Sequence, residues 1–209
     1  MDLNLRTTQR LALVLAAGLL LGITSRLAHQ MHGIWLWLGA LGAPWLLVAF
    51  AIGATERKRN AAVALGAGAL VAGVVTYYAM MYAVEGRASL LYALVIGLGW
   101  AALGAVGGAV FAAGGWAWRW GSNRLSRVGT ALLCGTLIGE GIYALLRWQH
   151  HYGREVATAE VLLGCLMLTT ARPRIVGSAA AQTAFVAVVF CSIEIAVAGS
   201  MHALGWGGA

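Results

Sequence analysis

Hydrophobic and polar positions in this chain alternate on a long scale, with apolar runs separated by short polar stretches. A membrane-spanning helix needs about 20 predominantly apolar residues. Seven runs reach or approach that length: approximately Leu11–Leu27, Ile34–Ala54, Ala61–Val84, Leu90–Ala113, Val128–Leu146, Val156–Ala171 and Ile175–Leu204. The pattern predicts an all-α fold, a polytopic transmembrane helical bundle of about seven spans forming a single integral-membrane domain over residues 1–209. The first run is followed by no Ala-x-Ala-like cleavage site, so it reads as a retained span rather than a removed signal.

The polar stretches carry the orientation. With seven spans, Arg6, Arg10, Arg57, Lys58, Arg59, Arg119, Arg124, Arg127, Arg172 and Arg174 share one side, and Arg26, Arg87, Arg147 and Arg154 the other. Cytoplasmic loops carry the excess of Lys and Arg. This bias predicts a cytoplasmic N-terminus, an outer C-terminus and a multi-pass place in the inner (plasma) membrane. Trp35 and Trp37 then fall at the outer end of the second span, and Trp116, Trp118 and Trp120 at the inner end of the fourth. Amphipathic rings favour these headgroup levels.

Composition narrows the function. Of 209 residues, 61% are hydrophobic and 10% charged, against about 25% charged in ordinary soluble domains. The lipid bilayer is therefore the first expected partner. The net charge of +7 is spread over separate clusters, which argues against nucleic acid. Most of the 29 glycines lie within apolar runs, where small residues let helices approach closely. Gly18/Gly22, Gly104/Gly108 and Gly135/Gly139 have the four-residue spacing of such faces, and a homo-oligomer through them is an open option. Cys134, Cys165 and Cys191 sit in apolar runs without ligand spacing and read as small buried hydrophobes. No GxSxG, HExxH, Walker A or dinucleotide pattern is present, and neither a metal nor a cofactor is expected.

Glu140 changes the picture most. A carboxylate inside a span costs about 2.5–3.5 kcal/mol on insertion scales, so it is seldom kept without a protein-lined or wet cavity to face. Glu194 poses the same problem in the last run and Glu160 a weaker one near the start of the sixth. At about 1.5 Å per residue, all three fall in the outer half of the membrane. Thr136, Glu140, Tyr143 and Arg147 follow helical spacing and share a face. Tyr77 and Tyr78 end at the same level on the third span. These eight residues are the candidate ligand-binding set; catalytic residues remain unassigned. His29, His32, His150, His151 and His202 all map to the outer side and read as solvated loop residues rather than zinc ligands.

The chain resembles an uncharacterised bacterial family of small polytopic membrane proteins, a domain of unknown function. The resemblance rests on Trp45…Phe50…Gly53, Gly73…Tyr77-Tyr78, Gly115-Trp116, Glu140-Gly141-Ile142-Tyr143 and Tyr152, and covers roughly residues 10–190. It implies the same membrane architecture and supplies no activity.

The leading expectation is a protein that binds or transports a small amphipathic or cationic molecule from the outer side, with proton coupling open. The alternative is a membrane-embedded enzyme doing acid–base chemistry on a lipid or isoprenoid, such as a cyclisation. A substrate-capture subunit working with a partner ATPase is a third class, whose usual six spans fit less well.

Overall fold

The computed structural model describes residues 2–86, 89–169 and 173–203. Arg87, Ala171, Arg172 and Leu204, used in the topology reading, lie outside the described residues, as do the side chains of Arg6, Arg174 and His202. The fold is all-α. Its helices are α1 (Asp2–Gln30), α2 (Ile34–Ala40), α3 (Ala43–Thr55), α4 (Arg59–Ala79), α5 (Leu90–Trp120), α6 (Asn123–Arg147), α7 (His151–Thr169) and α8 (Pro173–Ala203), with a π-helical turn at Met80–Val84 prolonging α4.

Among the described residues, five segments are long and apolar enough to cross a bilayer: Thr8–Gln30, Arg59–Val84, Leu90–Trp120, Asn123–Arg147 and Ala179–Val197. The expected second span is not one helix. It is the pair α2 and α3, bent by 58°, which makes a sixth crossing if the two halves count together. The break has a local cause. Leu41 is extended, and Pro44 sits in the first turn of α3. Proline has no N–H to carry the α2 ladder onward, but it is well suited to start a new helix. α7 falls short of the apolar criterion because its 19 residues hold Arg154, Glu155 and Glu160.

Large apolar side chains cover the exterior. Leu13, Leu98, Val106, Leu162, Phe185 and Val188 are all more than 60% exposed. A water-soluble surface rarely tolerates apolar area on this scale, whereas lipid does.

The chain forms two compact units, Met1–Gly129 and Thr130–Ala209. In the first, α4 packs against α1, α3 and α5, and glycine permits each approach. Gly18 and Gly22 of α1 lie on the backbone carbonyls of Ala69 and Gly73, Gly66 and Gly108 bring α4 to α5, and Gly53 and Gly115 bring α3 to α5. Gly73 takes the indole edge of Trp45. The two ends of this unit are distinct. Arg10 in α1 pairs with Glu56 just after α3 at 3.7 Å, while Arg26 near the end of α1 pairs with Glu85 beyond α4. The chain therefore passes from one end of α1 to the other and returns through α2 and α3 together.

In the second unit α6 is the common neighbour. Gly141 lies against Ala157 and Val161, and Gly164 against Cys134, Leu137 and Ile138, so α6 and α7 run antiparallel. Gly135 lies against Thr183 and Val186, and Gly139 against Ala187, so α6 and α8 run parallel. Every glycine pair singled out for its spacing is thus used inside the chain, and those contacts give self-association no support.

A Cβ at Gly53 would overlap the Ala112 carbonyl and one at Gly115 the Phe50 carbonyl, while Gly68 and Gly99 face open space. Gly53→Val and Gly115→Val should each lower stability by about 1–3 kcal/mol or more through overpacking. Gly68→Ala and Gly99→Ala should leave it equal or higher, since alanine favours helix by about 0.5–1 kcal/mol. Thermal unfolding in detergent reads the contrast; equal effects at all four positions would contradict the packing.

Candidate functional site

The second unit builds its acidic site from one residue per helix. Glu140 projects from α6 one residue past Gly139 and one before Gly141, the glycines that bring the helix against α8 and α7. Glu160 lies on α7 between Ala157 and Val161, the residues that Gly141 touches, and so stands level with Glu140. Both are nearly sealed, at 5% and 6% exposure. Glu140 is the acidic group that acts most strongly on Glu160, with Glu194 a weaker neighbour. Glu140 is thus the near acidic neighbour of Glu160, whose two oxygens have no hydrogen-bond partner among the described residues.

Glu194 departs from the expected common level. Gly139 is opposite Ala187, so Glu194 lies about six residues beyond Glu140 along the parallel helix, roughly 9 Å at 1.5 Å per residue. It continues the inner face of α8 set by buried Ala179, Thr183 and Ala187, and is half-buried. The three carboxylates form a close pair and a third group nearer the chain's C-terminal end, not a ring. Among the described residues, no group of three His, Cys, Asp or Glu side chains is placed to hold a metal ion.

The α6 column is graded. Thr136 and Glu140 are buried, Tyr143 is half-buried and Arg147 is exposed. Two buried hydroxyls, Thr136 on α6 and Thr183 on α8, have no hydrogen-bond partner among the described residues. Other Ser and Thr hydroxyls in these helices take the usual local partner, as Thr158 does with the Arg154 carbonyl at 2.7 Å and Ser192 with the Val188 carbonyl at 2.8 Å. The Thr136 and Thr183 hydroxyls and the Glu160 oxygens bring unused bonding capacity to the packed faces of α6, α7 and α8; His29 Nδ1 is a further unmet buried atom, in the first unit. His151 instead pairs with Glu155 at the exposed start of α7, at 3.0 Å.

Tyr77 and Tyr78 belong to the first unit, and their partners are different. Their rings pack edge to face at 5.3 Å. Tyr77 also receives the Arg26 guanidinium over its face at 5.4 Å and the His29 ring at 6.0 Å. Arg26 is predicted by the charge pattern of the sequence to be an outer loop charge. It is 7% exposed and forks onto both Glu85 oxygens, with Nε donating at 2.6 Å, while Nη1 donates to the Tyr77 hydroxyl at 3.4 Å. The two partners are 59 residues apart, beyond any local spacing rule. A charge just inside the end of a span was the available signal.

These observations define a class. The chain is a multi-pass helical protein with a lipid-facing apolar exterior and polar groups turned inward. It belongs to a family of unknown function, DUF6518, whose pattern matches residues 1–200. No curated protein and no solved structure matches it. The family match agrees with the resemblance read from Trp45 through Tyr152.

Breaking a buried ion pair by removing one partner costs about 3–5 kcal/mol, because the survivor is left uncompensated. Arg26→Met and Glu85→Met should each destabilise on that scale. The double variant should recover much of the loss. Additive losses in denaturation measurements would contradict a coupled pair.

Proposed function

We propose that the second unit binds a small cationic or amphipathic molecule at Glu140 and Glu160 and moves it along the α6–α7–α8 bundle in exchange with a proton. The observation that carries this reading is the buried, facing pair of carboxylates: no basic side chain among the described residues forms an ion pair with Glu160. Two adjacent carboxylates cannot comfortably both be charged in a low-dielectric interior; a shared proton or a cation between them removes the repulsion. Intramembrane carboxylates commonly mark ion and substrate paths for this reason.

The Thr136 and Thr183 hydroxyls, about one helical turn from the pair along α6 and α8 and without a partner among the described residues, supply neutral acceptors. Glu194 offers a further stop towards the end of α8, and the exposure gradient from Thr136 to Arg147 supplies a route in the same direction. Grouping of the acids in a pair plus one favours an organic cation or a proton over a metal ion.

α7 counts as a seventh crossing in this reading, because it runs beside α6 from Gly141 through Gly164. The charge bias then sets the N-terminus in the cytoplasm of the plasma membrane. Alkaline phosphatase fused after Ala209 should be active outside the cell; an inactive phosphatase with a fluorescent cytoplasmic fusion at the same place would reverse the topology.

Tetraphenylphosphonium serves as the probe. Purified protein in liposomes should bind it, and a proton gradient should drive its flux. Glu140→Gln and Glu160→Gln should each reduce affinity or flux at least tenfold, while Glu155→Gln, altering an exposed residue of α7, should leave both unchanged. Unchanged binding and flux in both site variants would sink the reading.

A further inference from the structure

Two guanidinium groups share one indole in the first unit, at the end opposite the Arg26–Glu85 pair. Arg57, between α3 and α4, and Arg119, in the last turn of α5, place their guanidinium carbons 5.5 and 5.3 Å from the Trp120 ring centroid. The assembly is built rather than incidental. Trp120 Nε1 donates to the Ala54 carbonyl at 3.1 Å, and Trp116 Nε1 donates to the Arg57 carbonyl at 2.9 Å. These bonds tie the end of α5 to the end of α3 and fix the ring within reach of both cations.

Like charges gathered in this way repel unless an anion joins them. The nearby carboxylate, Glu56, is buried and pairs with Arg10 instead. Neither Arg57 nor Arg119 has a carboxylate partner among the described residues. Exposed Lys58 and Arg59 add to the positive field. Guanidinium forks match phosphate oxygens two at a time, and an indole face supports the cation without neutralising it.

We propose that Arg57, Arg119 and Trp120 bind the phosphodiester headgroup of an anionic phospholipid. The position supports a lipid over a free phosphate. The cluster stands where the apolar segment Leu90–Trp120 ends and Arg59–Val84 begins. Leu103, Val106 and Val110 are exposed along the same helix, at 54%, 65% and 48%. Acyl chains could lie along that surface while the headgroup meets the arginines, an arrangement inorganic phosphate cannot use. Basic clusters at the ends of spans attract anionic headgroups.

The test uses full-length protein in detergent, titrated with phosphatidylglycerol, phosphatidylcholine or inorganic phosphate, and reads thermal stability together with lipid retained in native mass spectrometry. Phosphatidylglycerol should stabilise the protein and be retained, and the other two should do neither. Arg57→Gln and Arg119→Gln should each weaken retention at least threefold; Arg154→Gln, which removes the same charge elsewhere, should not. Arg57→Lys and Arg119→Lys, which keep the charge but lose the planar fork, should also weaken it, and they guard against a glutamine variant that fails to fold. Equal loss in Arg154→Gln would reduce the effect to net charge and overturn the site. Full retention in the Arg57 and Arg119 variants, or equal stabilisation by inorganic phosphate, would overturn it as well.

Discussion

Backbone-to-backbone approach at glycine is the constraint on which the rest of this structure depends. In lipid the surroundings are as apolar as a leucine side chain, so helices gain little by hiding apolar surface from them. They associate by close packing, and here the contacts run through Gly18, Gly22, Gly53, Gly66, Gly108 and Gly115 in the first unit and Gly135, Gly139, Gly141 and Gly164 in the second. Large residues are accordingly displaced to the outside, where Leu13, Leu98 and Phe185 face outward.

That arrangement decides where polar groups are affordable. Arg26 is buried because Glu85 and Tyr77 meet its guanidinium from two directions, replacing the water it gives up. The second unit follows a different rule. Its buried acids face one another, and the Thr136 and Thr183 hydroxyls are unmet. Buried polar groups are normally satisfied. The met Arg26–Glu85 pair in the first unit and the unmet Thr136 and Thr183 hydroxyls in the second form the contrast from which the proposed binding role is argued.

Much of the fold was legible because bilayer thickness translates directly into run length. The runs beginning near Leu11, Ala61, Leu90, Val128 and Ile175 all correspond to helices, and the four-residue glycine spacings marked real interfaces. The run beginning at Ile34 misled because its hydrophobicity is continuous while its backbone is not: Pro44 breaks the ladder without adding a polar residue. Depth along a helix placed Glu140 and Glu160 level with each other, but it missed the offset of Glu194, which depends on how α8 is shifted against α6. Equal depth put Tyr77 and Tyr78 in the candidate set, but it carries no information about which neighbour a side chain meets within its own unit. Their partner, Arg26, was hidden by distance in sequence.

The central claim is that Glu140 and Glu160 face each other across α6 and α7. In a background with Cys134, Cys165 and Cys191 replaced by alanine, Glu140→Cys combined with Glu160→Cys should be joined within one chain by a short thiol-to-thiol reagent. Ile142→Cys combined with Glu160→Cys should not be, since Ile142 is exposed. Efficient joining of the first pair alone is the predicted result; no joining of it, or equal joining of both, would contradict the account.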